Sequence, residues 1–161
     1  MEDEYDIFSS TVTGIELRDG RTTSKSNIGY KIIDIDDVVL SPQNLWLGNI
    51  NLNSFGKGLV SPSYKTYKIV ELVPSFLGVK LKTVSMMSAY ESVSIKGAST
   101  VRRNLDLDAF YKLSTQVPDN NKEQQSIGST FKHLDQLITA EETKQKLLTT
   151  MQQALLQQLL V

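Results

Sequence analysis

The chain has 161 residues, a formal net charge of −1 from 17 Lys+Arg against 18 Asp+Glu, an apolar share of 40%, four prolines and no cysteine. That length holds one domain with its own core plus an appendage, and the composition excludes a disordered or fibrous chain. A disulfide framework and a Cys-ligated zinc site are excluded too, which fits a reducing cytoplasm, while the acidic start "MEDEYDIF" and the lack of about 18 consecutive apolar residues argue against secretion and membrane spanning.

Through residue 72 the sequence alternates short β-rich runs with turn residues: "GYKIIDIDDVVLS", "LGNINLN", "KGLVS" and "YKTYKIVELV". Asp19-Gly20, Ser41-Pro42 and the pair Gly56 and Gly58 signal turns, so the first half reads as a small, strongly curved sheet. Within it "DIDD", Asp34 to Asp37, has the carboxylates for Mg²⁺ or Ca²⁺. Asp37 opposes Asp34 and Asp36 on a strand, however, and no further ligand spacing follows, so a turn between strands is the favoured reading.

From Pro74 the period changes. Phe76, Leu77, Val79, Leu81, Val84 and Met87 recur at helical spacing after a proline suited to a first turn, predicting a helix of about four turns packed on the sheet. "ESVSIKGASTVRRNLDLDAF" then reads as loop and "FYKLSTQV" as a closing strand. After Pro118, Asn120 and Glu123 stand three apart in a helix-capping arrangement, and neither Gly nor Pro occurs after Gly128. A helix of roughly thirty residues or more is expected, long enough to project past a domain of this size.

On that helix Ile127, Phe131, Leu134 and Ile138 are spaced four, three and four, and Leu148, Leu155 and Leu159 resume the register. This is a coiled-coil seam, broken where Glu141 and Gln145 occupy apolar positions. Leu147, Met151 and Ala154 widen the stripe near its end. A helix docked on its own domain shows a broader apolar face, so the narrow seam favours a partner helix, from a second copy or another chain; folding back onto the sheet is the alternative.

Catalytic chemistry is not legible. The one histidine, His133, falls between Phe131 and Leu134 on the helix, and transition-metal sites would need carboxylates almost alone. "GNINLNSFGKG" departs from the phosphate-binding GxxxxGK[ST] order at Asn51 and Gly58, and no GxSxG elbow occurs. We therefore expect a binder and not an enzyme, with no catalytic residue, no metal and no cofactor.

"KEQQSIGSTFKHLDQLI" and the ending "LLTTMQQALLQQLL" closely resemble the helical region of type I restriction–modification specificity subunits. Upstream, "YKIIDIDDVVLSPQNLWLGNI", "GKGLVSPSYKTYKI" and "VRRNLDLDAFYKLSTQVP" are similar to the second half of that family's target-recognition domain, so the likeness runs from about Gly29 to the end. It implies a cytoplasmic subunit that reads double-stranded DNA while associated modification subunits methylate it and, through them, a restriction subunit translocates and cuts. The family usually carries two recognition domains joined by two antiparallel helices. This chain holds one of each, so a homodimer through the last helix rebuilds the pair. The family's opening segment, with its Gly/Thr/Pro-rich stretch, is not found before Tyr5, which points to a half or truncated subunit. A modulator that binds modification subunits through its helix without reading DNA is the other expectation.

The expected fold class is α+β: a small curved mixed β-sheet domain with a packed helix over residues 1–118, then a long C-terminal coiled-coil helix over 119–161. Positive charge gathers in the middle, with eight Lys/Arg against four Asp/Glu between residues 61 and 115. Arg reads guanine, and Asn or Gln reads adenine, while Lys mostly positions the backbone. On that chemistry the candidate DNA contacts are Lys96, Arg102, Arg103 and Asn104, then Asn44 in "SPQN", Lys57 between its glycines, and Lys25 in "RTTSKSN". Arg102 has a competing structural reading, as a partner of Asp106.

Overall fold

In the computed structural model, residues 5–18, 28–97 and 102–159 are described. Among these residues nine strands run in chain order as β1 Ile7–Ser10, β2 Ile15–Leu17, β3 Lys31–Ile33, β4 Val38–Leu40, β5 Ile50–Leu52, β6 Gly58–Val60, β7 Lys65–Tyr67, β8 Ser94–Lys96 and β9 Arg103–Leu105. The helices are α1 Pro74–Lys80, α2 Val84–Ser92, α3 Leu107–Tyr111 and α4 Asn121–Leu159. The class is α+β, a small strand-rich body followed by one long helix.

The strands form two packed sheets and a hairpin where one curved sheet was expected. The first sheet has the order β2-β1-β6-β3, with β1 and β6 parallel and the other pairs antiparallel; the second, β5-β4-β7, is antiparallel throughout. Strand β4 explains the layering, because all three of its residues are buried. Val39 packs with Phe8, Ile15, Ile33 and Val60 of the first sheet, while Val38 and Leu40 face Leu45, Ile50, Leu81, Met86 and Tyr90 on the helical side. A strand covered on both faces reads as the continuous apolar run "VVL".

Asparagines fasten the layers together. In "GNINLN" the apolar residues Ile50 and Leu52 face the helices, and the alternate Asn49, Asn51 and Asn53 are buried on the other side. Asn49 Nδ2 donates to Ser10 O at 2.9 Å, and Asn51 Nδ2 donates to Ser10 Oγ and Thr11 O, both at 2.8 Å. Asn53 Nδ2 donates to Asp34 O at 2.7 Å and to Gly56 O at 2.6 Å, joining two turns. Buried amides need such partners, and here they are strand-to-loop bolts.

The "DIDD" segment is the β3–β4 turn, with Asp36 in the left-handed region at φ 66°. Lys68 Nζ spans Asp34 Oδ2 at 2.7 Å and Asp37 Oδ2 at 2.9 Å. The Lys68 ammonium holds the Asp34 carboxyl below its usual range, and the two carboxylates raise Lys68 in turn.

Three sequence expectations are corrected. The four-turn helix from Pro74 is two helices: Thr83 turns to extended backbone, its hydroxyl donates to Lys80 O at 2.9 Å, and its carbonyl starts α2 by accepting from Met87 N at 3.0 Å. The region read as loop contains the β8–β9 hairpin. The strand expected at "FYKLSTQV" is instead the end of α3 followed by irregular chain, because Asp106 caps that helix by accepting from Ala109 N at 3.0 Å. Phe110 and Tyr111 then pack with Tyr67 as an aromatic cluster.

Candidate nucleic-acid interface

Two features stand out: a polar tip where the β8–β9 hairpin meets the loop after β4, and the free length of α4. The tip is built from the chain's own turn chemistry. After β4, Ser41 N donates to Asn49 O, Asn44 N to Ser41 O, and Gly48, at φ 83°, closes a 3-10 turn over Leu45–Leu47. Glycine suits that position because its φ lies in the left-handed region, which L side chains rarely adopt. This loop is tied to the hairpin by Arg103 N, which donates to Gln43 O at 3.1 Å.

The hairpin register is Ser94 with Leu105, Ile95 with Asn104 and Lys96 with Arg103. Alternation along β9 leaves Arg102 and Asn104 exposed and turns Arg103 inward. Its guanidinium lies 4.0 Å from the centre of the Trp46 ring and donates to Glu91 Oε1 from Nη1 at 3.2 Å and from Nη2 at 3.3 Å. Only 9% of Arg103 is exposed. Of the residues expected to touch DNA, the structure thus brings Lys96, Arg102 and Asn104 onto one hairpin and sets Asn44, half-buried, in the adjoining loop. Arg103 sits among them as a packed, ion-paired side chain and not as a free reader.

Lys57 does not join them. It follows β5, at the end of the β4–β5 pair opposite the Asn44 loop, with its ammonium 5.0 Å from the Tyr5 ring. Lys25 lies outside the described residues. Asp106, the suggested partner of Arg102, is engaged as the α3 cap.

Helix α4 has 39 residues, about 58 Å at 1.5 Å per residue. Asn120 starts it, its side chain accepting from Lys122 N at 2.8 Å. It docks on α1 through two buried residues one turn apart, Gln124 and Gly128. Gln124, 2% exposed, accepts from Val73 N at 2.9 Å and donates to Pro118 O at 2.7 Å, so one amide joins the start of α1 to the approach of α4. Gly128 permits backbone contact with Ser75 and Phe76. Neither residue was singled out from sequence, although a glycine inside a long helix costs about 1 kcal/mol and so signals a packing reason.

Beyond this dock the rest of α4 is exposed among the described residues. Ile127 is half-buried at its edge, whereas Phe131, Leu134, Ile138, Leu148, Leu155 and Leu159 are 45% to 81% exposed. Leu147 and Met151 are exposed as well. A cleft of about 750 Å³ opens beside the dock between α1 and α4, lined by Ser75, Gly78, Val79, Lys82, Thr83 and Phe131 among others. Lys82 is pinned there, donating to Val12 O at 3.1 Å and Gly48 O at 2.8 Å, and burial lowers its pKa.

Among the described residues no group of three His, Cys, Asp or Glu side chains converges as metal ligands, and no helix is long and apolar enough to cross a membrane. No family model matches the sequence, and no curated protein matches it.

Proposed function

We propose that this chain is a sequence-specific DNA-recognition component of a type I restriction–modification complex, a half subunit that assembles through α4 and carries no catalytic activity of its own. The resemblance described above supplies the identity of the complex. The observation that carries the reading is the docking of a 39-residue helix by its first two turns, which leaves the apolar seam residues from Phe131 to Leu159 exposed among the described residues. A free helix bearing such a seam is built to pair.

A second copy is the partner in this reading, and an antiparallel pair suits the seam. It sets Ile127 against Leu159, Phe131 against Leu155 and Ile138 against Leu148, and lets the adjacent polar positions Glu141 and Gln145 meet each other. Leu134 then faces Gln152. A parallel pair sets each Glu141 against its own copy, where like charges repel. The two-fold arrangement carries one polar tip at each end, with the helix as the spacer between half-sites. Exposed Lys96, Arg102 and Asn104, with Asn44 beside them, provide phosphate positioning and base-edge contacts at each tip. Modification subunits attach to the same helices, and the restriction subunit through them.

Selection of the full chain, with its modification subunits, on a randomised duplex library tests the reading. A two-part motif with fixed spacing is expected; recovery of unenriched DNA rejects it. The commitment of Arg103 to Trp46 and Glu91 favours a second reading, a modulator that occupies modification subunits without reading DNA. Stable co-purification with those subunits, combined with an unenriched library, selects that reading.

A further inference from the structure

Arg103 occupies a position that the charge pattern assigns to DNA and the packing assigns elsewhere. Its backbone N–H holds Gln43 O, its guanidinium covers Trp46, and its two terminal nitrogens share one oxygen of Glu91. These contacts connect the loop after β4, the hairpin and the end of α2. On either side of Arg103 in the strand, Arg102 and Asn104 point to solvent, and on the loop Gln43 is exposed beside half-buried Asn44. The two segments that present base-reading chemistry are therefore joined through one buried residue, by its backbone N–H and by its side chain.

We propose that Arg103 is a positioning residue for DNA recognition: clamped between Trp46 and Glu91, it fixes the Arg102–Asn104 strand relative to the Gln43–Asn44 loop so that both meet one stretch of duplex in register. The role rests on the DNA-reading function proposed above. The chemistry singles out arginine, because a planar guanidinium stacks on an indole while its in-plane N–H groups reach a carboxylate; a single ammonium lacks the planar group that does both at once. Glu91 neutralises the charge, so Arg103 contributes little to phosphate attraction. Trp46 is half-buried, and among the described residues its indole N–H has no acceptor, so the Arg103 stack is the specific contact seen on the ring. Removing Arg103 frees both surfaces to shift.

Two measurements on the full chain test this. Trp46 is the only tryptophan, so its fluorescence reports the clamp without DNA. Arg103→Lys and Glu91→Gln variants that retain the wild-type circular dichroism should shift its emission; unchanged emission in both overturns the clamp. In library selection, Arg103→Lys should lower enrichment together at base positions altered by Asn104→Ala and by Asn44→Ala, by about tenfold, the scale of one misplaced base contact. The slope of log K against log salt should stay at the wild-type value. A slope reduced by about 1 makes Arg103 a direct phosphate contact and overturns the positioning role. Wild-type enrichment that is indifferent to Arg103→Lys overturns this role alone, whereas a wild-type chain that enriches no sequence removes the recognition function and the role with it.

Discussion

Gly128 of α4 lies against Ser75 of α1 so closely that a Cβ at residue 128 would stand 2.8 Å from the Ser75 carbonyl carbon and from the Phe76 nitrogen. The Ser75 hydroxyl stands in the way as well, and while it can rotate aside, the two backbone atoms cannot. Gly128→Ala gains about 1 kcal/mol of helix propensity, but overpacking costs about 1–3 kcal/mol. We expect a net loss of dock stability, read as earlier hydrogen exchange at residues 121–130 with the body's exchange unchanged.

Gln124 makes the complementary contribution. Gln124→Ala strands the Val73 N–H and the Pro118 carbonyl in a buried setting, at about 1–3 kcal/mol. Gln124→Glu keeps an acceptor for Val73 but sets a buried carboxylate oxygen against the Pro118 carbonyl, so at neutral pH its melting temperature should fall at least as far as that of Gln124→Ala.

The existence and length of α4 were legible because its signals are local: a capping Asn120, unbroken helix formers and a repeat of seven. Where it docks was less legible, because Gln124 and Gly128 look like polar and flexible residues until the contact with α1 is seen. The break at Thr83 was hidden for a related reason. Apolar spacing continues through it, and the hydroxyl bond to Lys80 O that ends α1 has no counterpart in periodicity. At the polar tip, residue type alone put Lys96, Arg102, Arg103 and Asn104 on an equal footing and could not show that Arg103 is the buried one. That distinction depends on strand alternation over the Trp46 ring, in a segment read as loop.

The Lys68 bridge predicts a two-sided pH response. Asp34 titrates below its ordinary 3.8 when folded, so its contribution is present above that pH and is lost as the pH falls through the folded value. Lys68 titrates above 10.5, so its contribution is present below that pH and is lost as the pH rises through the folded value. Lys68→Met should therefore melt below wild type at pH 7, with the difference narrowing at both extremes. A difference that stays constant in acid would mean that the loss comes from the lysine stem and not from its charge.

Leu134 and Leu155 test the seam itself. Both are exposed in the single chain, so charge there should leave the body folded. Leu134→Glu and Leu155→Glu should each lower the mass measured by light scattering from dimer to single chain, with wild-type circular dichroism in the strand region. Unchanged mass in both would remove the pairing.

Orientation can be read separately, because the native chain has no cysteine to interfere. Phe131 and Leu155 face each other in an antiparallel pair, whereas each faces its own copy in a parallel one. Phe131→Cys and Leu155→Cys proteins, oxidised alone and as an equal mixture, should cross-link only in the mixture. Efficient cross-linking of either variant alone would indicate parallel helices. That outcome would put both polar tips at the same end of the assembly and abolish the spacing of half-sites by α4.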